Sequence, residues 1–139
     1  MEGIAVSNLL GRLAIINAAL AAAIGFLVMN GYFVDAFFGT AKYPCWVLLS
    51  LTAIALTLMF FRHFEDAKWI SNHMTRFGMI GTLIGMIQGL SSLEFTTADV
   101  AAMATQLAQH TGYAFYSTLF GVLGNIWLNF NLRFFHTDE

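Results

Sequence analysis

Between Arg12 and Asp35 the chain runs for 22 residues without a formal charge. Such gaps recur at Tyr43–Phe61 (19 residues), Phe77–Leu93 (17) and Val100–Leu132 (33). A helix rises about 1.5 Å per residue, so crossing a hydrocarbon core of about 30 Å takes about 20 residues, with a range of about 17–25. Each of the first three gaps fits one crossing. The fourth is too long for one and too short for two with a turn, so it reads as a crossing with an amphipathic lead-in. The expectation is an all-α integral membrane protein forming a single membrane domain, 1–139, with four transmembrane helices near 13–34, 44–61, 77–93 and 111–132. An amphipathic outer helix is expected at 97–110. Composition agrees: 58% hydrophobic, 10% charged and a mean hydropathy of +0.70, against about 45–50% and about 25% in soluble domains. The first segment could pass for a signal peptide, but its apolar stretch is long and no small-x-small cleavage site follows, so it is read as a mature helix.

Four crossings put both termini on one side. Arg12, Arg62, Lys68, Arg76 and Arg133 then share that side, and Lys42 lies opposite. Bases accumulate on cytoplasmic loops, so both termini are expected to be cytoplasmic. Eight acids against six bases give a net charge of −2, which does not suggest a nucleic-acid partner. The single cysteine, Cys45, excludes an internal disulfide framework and a multi-cysteine metal site. His63, His73, His110 and His136 are too dispersed to nominate metal ligands. No metal, no cofactor and no catalytic set are expected, and nothing points to an enzyme.

The first span carries Ala18, Ala19, Ala21, Ala22, Ala23 and Gly25, a smooth surface for a neighbouring helix. Pro44 suits the first turn of the second helix, which looks lipid-facing. The cytoplasmic link, roughly Arg62–Thr75, contains no Gly or Pro and would simply extend the helices below the membrane. In the third span Gly78, Gly81, Gly85 and Gly89 fall on one face. Glycine inside a helix costs about 1 kcal/mol against alanine, so four on a face call for a reason, and close helix packing is the usual one. Thr96–Asp99 reads as a capping-box variant opening the outer helix. Val100, Met103, Ala104, Leu107 and Ala108 then recur opposite Gln106 and Gln109, with a turn into the membrane expected near Gly112. The two halves share no pattern, which argues against an inverted-repeat transporter.

All eight acids and all six bases lie outside the core spans. Ion-coupling sites in membranes are usually ionisable groups; if this chain helps to move ions, another molecule supplies the charge. What the spans do hold is neutral polarity. Thr111, Thr118 and Asn125 are spaced by seven, Asn129 is one turn further, and Thr82 adjoins the glycine face. Side chains of these types often bond their own helix backbone or a neighbouring helix. As a stripe, Thr118, Asn125 and Asn129 are expected to face a pore or a partner helix.

The segment Phe77-Gly-Met-Ile-Gly-Thr-Leu-Ile-Gly-Met-Ile-Gln-Gly89, followed by Ala114-Phe-Tyr-Ser-Thr-Leu-Phe-Gly121, resembles the MotA/TolQ/ExbB proton-channel family. That family has a G-x-x-G-T-x-x-G penultimate helix and an A-L-x-T-T-x-x-G last helix. Gly78, Gly81, Thr82 and Gly85 fall on the first motif. Ala114, Ser117, Thr118 and Gly121 fall on the second, with Phe115 for Leu and Ser117 for the first Thr. The resemblance implies a homopentamer in a bacterial inner membrane, with a central pore lined by the last two helices. Two copies of a MotB/ExbD/TolR-like single-span partner would occupy that pore and bring the ion-binding aspartate. It also implies H+ as the transported ion, with Na+ as the alternative, and an ion pathway through Thr82, Thr118 and Ser117, to which the polar stripe adds Asn125 and Asn129. Gly78, Gly81, Gly85, Gly89 and Gly121 would be packing positions.

The chain departs from the family in two places. MotA carries a large cytoplasmic domain between its second and third helices, and the Arg62–Thr75 link is far too short for one. The four crossings therefore look MotA-like, while work delivered outward through the partner fits better than flagellar torque. The proline common in the last helix of ExbB and TolQ is replaced by a region holding Asn125 and Trp127. The competing reading from a different class is a structural or holin-like membrane assembly protein.

Overall fold

A computed structural model describes residues 2–38, 42–91 and 100–136. These form five helices: α1 (Glu2–Met29), α2 (Val34–Phe38), α3 (Lys42–Phe60), α4 (Phe64–Ser91) and α5 (Val100–His136). The Thr96–Asp99 capping box and the first residues of the expected outer helix lie outside the described residues. Among the described residues every regular element is helical.

The helix ends follow from backbone chemistry. At the end of α1 the Tyr32 N–H donates to Leu27 O (2.9 Å) and the Gly31 N–H to Val28 O (3.1 Å), with Gly31 at φ +86°. This is a Schellman cap, whose left-handed residue is normally glycine. The same pair closes α3, where His63 N–H donates to Leu58 O (2.8 Å) and Arg62 N–H to Met59 O (3.1 Å). There the left-handed position is held by Arg62, at φ +63°. Only three residues separate α3 from α4. Most of the expected cytoplasmic link is thus the first turns of α4, with Glu65 and Asp66 placed where the helix dipole favours acids.

α4 and α5 run antiparallel and α3 packs across both. One core cluster gathers Leu48, Ala55, Met59, Ala67, Ile70, Met74 and Leu128. The buried positions of α3 (Cys45, Leu48, Ala55, Met59) recur at helical spacing, so this helix is not simply lipid-facing. One stripe belongs to the core, while Val47, Ile54 and Phe60 are exposed. At the opposite end of the bundle α2 lies on α3 and α5. Phe33 and Phe37 both meet Phe120 edge-on, and Trp46 Nε1 donates to Phe37 O (3.1 Å). Sequence patterning had left this segment as a bare link.

α5 is a single helix of 37 residues, about 55 Å long at 1.5 Å per residue. The expected turn near Gly112 is absent. One glycine with helical dihedrals does not break a helix when no proline follows, and the amphipathic and apolar halves share the same period. α1 contributes least to the core: of its side chains from Arg12 onward, Leu13 alone is buried. Among the described residues two stretches, Gly11–Met29 in α1 and Lys42–Phe60 in α3, are long and apolar enough to cross a membrane. α4 (28 residues) and α5 have the length but are more polar.

Candidate ion-pathway site in the seam between α4 and α5

The α4/α5 seam is built on glycine. A methyl group added at Gly78 would lie 2.7 Å from Ser117 O and 3.1 Å from the Cα of Gly121. One added at Gly121 would lie 2.8 Å from Met74 O and 2.9 Å from the Cα of Gly78. Backbone faces backbone here, and only glycine permits that approach. Further along, Gly85 meets Ala114 (3.0 Å to its Cβ) and Gly89 meets His110 (2.6 Å to its Cβ). Gly81 is wedged between Ser117 and Pro44 of α3 (2.8 Å to the Pro44 Cβ). All five expected packing glycines therefore lie at helix contacts. Gly124, which the sequence did not single out, lies against Met74 and Thr52.

The close approach brings three hydroxyls together. Thr82 Oγ1 lies 2.5 Å from Thr118 Oγ1 and 3.0 Å from Ser117 Oγ, and donates within reach of Ala114 O (3.0 Å) and Gly78 O (3.2 Å). Ser117 Oγ reaches the same two carbonyls at 2.9 and 3.0 Å. Ser117 is fully enclosed, Thr82 is 7% exposed, and Thr118 is partly exposed. Thr118 is thus the member of the cluster that reaches the surface of the protomer. Ser117 bonds Thr82 and shares with it the Gly78 and Ala114 carbonyls.

A second polar group lies two turns along the seam. Asn125 Nδ2 donates to Thr75 Oγ1 (3.1 Å), Asn129 Nδ2 donates to Asn125 Oδ1, and Ser71 Oγ reaches Asn125 O (3.4 Å). The structure therefore brings Asn125 and Asn129 together, adding Thr75 and Ser71 to them. Those two were hidden because the sequence assigns their segment to a link. Thr111 lies on α5 on the far side of the hydroxyl cluster from Asn125 and takes part in neither group's hydrogen bonds.

A third group joins α1 to α5. Trp127 Nε1 donates to Asn17 Oδ1 (2.8 Å), Asn17 Nδ2 donates to Asn131 Oδ1 (2.8 Å) and to Leu13 O (2.9 Å), and Asn131 Nδ2 donates to Trp127 O (2.8 Å). Asn17 was legible as the lone amide in an alanine-rich run, but its partners, 110 and 114 residues away, were not.

Chemically, the hydroxyl cluster of the seam offers uncharged hydroxyl and carbonyl oxygens. Val100–Leu132 and Phe77–Ser91 contain no Asp, Glu, Lys or Arg, and among the described residues no group of three or more His, Cys, Asp or Glu could hold a metal. Hydroxyl and carbonyl oxygens of this kind exchange hydrogen bonds with a carboxyl group in either protonation state, and they are hard donors for small cations.

The fold is thus a helical bundle with two helices apolar enough to cross a membrane among the described residues and a neutral hydroxyl cluster at the α4/α5 contact. The model of the MotA/TolQ/ExbB proton channel family matches residues 55–138, from the second half of α3 through α5, and the chain belongs to this family. Its members are membrane proteins that provide channel-type function in energy-transducing complexes with other membrane proteins, and they are not an enzyme class. No curated protein and no solved structure matched the sequence. The matched stretch contains the hydroxyl cluster and every seam glycine, while α1 and α2 precede it.

Proposed function

We propose that the chain is the pore-forming subunit of a proton-driven membrane complex, with Na+ as the alternative ion. All four long helices cross a bacterial inner membrane. Arg12, Arg62, Lys68, Arg76 and Arg133 mark the cytoplasmic side, and Lys42 marks the other. Five copies surround two single-span partner helices, and each partner brings an aspartate to the level of Thr82 and Thr118.

The observation that carries this reading is the contact of Thr82 with Thr118 within two helical stretches, 77–91 and 100–132, that hold no Asp, Glu, Lys or Arg. A carboxylate arriving beside Thr118 accepts its hydroxyl proton in a hydrogen bond. Once protonated, the carboxyl donates to the same oxygen. The cluster serves both states without moving its backbone, because Thr82 and Ser117 remain anchored to the Gly78 and Ala114 carbonyls. Asn125, Asn129 and Thr75 continue the neutral path towards the basic end. Ion flow drives work through the partner on the outer side, since α3 and α4 are joined by three residues rather than by a cytoplasmic domain.

The test is flux in proteoliposomes holding the chain with a co-purified single-span partner. Thr118→Val keeps the shape, removes the hydroxyl and is expected to abolish flux with assembly intact, while Thr118→Ser restores it. Undiminished flux in Thr118→Val would overturn the assignment. Subunit counting on the purified complex tests the pentamer.

A further inference from the structure

Away from the seam, α1 and α3 leave a groove of about 290 Å³ between them, lined by Leu13, Ala14, Asn17, Leu56, Thr57, Met59 and Phe60. Two of these side chains are polar, but neither offers its polarity to a ligand. Both amide donations of Asn17 go to protein oxygens and its Oδ1 already accepts from Trp127; the Thr57 hydroxyl donates to Ala53 O (2.8 Å). What remains facing the groove is hydrocarbon, which suits a hydrocarbon occupant.

Two arginines flank the lining segments in sequence. Arg12 directly precedes the lining residue Leu13, and Arg62 follows two residues after Phe60; both are exposed. Arg62 also occupies its position at a cost. It holds the left-handed C-cap of α3 at φ +63°, where a residue with a Cβ is strained and glycine is not. The corresponding corner after α1 uses Gly31. Among the described residues Phe33 (φ +61°) is the other non-glycine in the left-handed region; of the two, Arg62 carries a charge and stands two residues from the lining Phe60. The nearest acids in sequence, Glu65 and Asp66, sit in the first turn of α4.

We propose that this groove seats an acyl chain of an anionic phospholipid, whose phosphate is bound by Arg12 and Arg62 at the mouth. The lipid fills the gap between α1 and the rest of the bundle, which among the described side chains holds α1 through Leu13 and the Asn17 node. The site needs only a membrane-embedded chain, so lipid binding and ion flux fail independently.

The test exposes the delipidated protein to mixed micelles of phosphatidylglycerol and phosphatidylcholine and counts retained lipids by native mass spectrometry. The wild-type chain is expected to retain phosphatidylglycerol preferentially. Arg62→Gly, which also relieves the backbone strain and so folds at least as well, should lower that preference about fivefold, the usual effect of one basic residue at an anionic surface. Ala14→Phe fills the groove and should lower retention of both lipids. Equal retention of the two lipids by the wild type would overturn the proposal. So would undiminished retention in Ala14→Phe, including the case in which that variant instead changes the oligomeric state and reveals the groove as a contact between copies.

Discussion

The side-chain oxygens of Thr82 and Thr118 lie 2.5 Å apart, on two helices whose backbones come into contact one turn away at Gly78 and Gly121. The hydroxyl contact and the glycine contact are one construction. Side chains as short as threonine meet across two helices only where glycine lets the helix axes approach.

Thr82→Val separates the two roles of the buried hydroxyl. Ser117 still donates to the Gly78 and Ala114 carbonyls, so the loss of stability should be about 1 kcal/mol, seen as a modest fall in thermal midpoint in detergent. Flux in the assembled complex should fall far more than that loss explains. A variant that conducts normally would confine Thr82 to packing.

Glycine substitutions should sort by what the new methyl meets. Gly78→Ala and Gly121→Ala collide with backbone atoms below 3 Å and should cost about 1–3 kcal/mol as overpacking. At Gly25, in α1, nothing lies within 4 Å, and Gly25→Ala should be neutral or slightly stabilising. Unfolding midpoints of the three variants measured side by side decide the matter.

Cys45 is a built-in reporter of the α2 corner. It is fully enclosed beside Ala36 and Phe37, so a maleimide should label the folded protein slowly. Phe37→Ala removes the ring that covers this corner and should speed labelling markedly while the α4/α5 seam persists. Fast labelling of the wild type would mean that α2 does not rest where it is described.

Asn17 should control the attachment of α1. Asn17→Leu leaves Trp127 Nε1 without its acceptor and removes the donor to Asn131. Interhelical hydrogen bonds in membranes average about 0.6 kcal/mol by double-mutant cycles. A cycle between Asn17→Leu and Asn131→Leu should therefore show a coupling of that order, and a coupling of zero would remove the node as a fastening.

The seam was legible in the sequence because its signal is local. Gly78, Gly81, Gly85 and Gly89 repeat on one helical face, and Thr82 sits beside them. Their partners on α5 follow once the helices are antiparallel, since each α4 position meets an α5 position in strict descending order. The Asn17–Asn131 node was illegible for the opposite reason. It joins residues far apart in the chain through single side chains, and no periodic pattern marks which amide meets which. The continuity of α5 was missed because a change from amphipathic to apolar composition was read as a change of direction, although both halves keep the helical period through Gly112. The link before α4 was read as an extension of the helices because it holds no Gly or Pro, and Phe64–Arg76 is helical through its charged turns.

The unbroken course of α5 makes it a strut that exceeds the thickness of a bilayer. In the proposed channel, where α5 crosses the membrane, this continuity would carry a tilt from one end of the helix to the other, with Thr118 at the middle of its length.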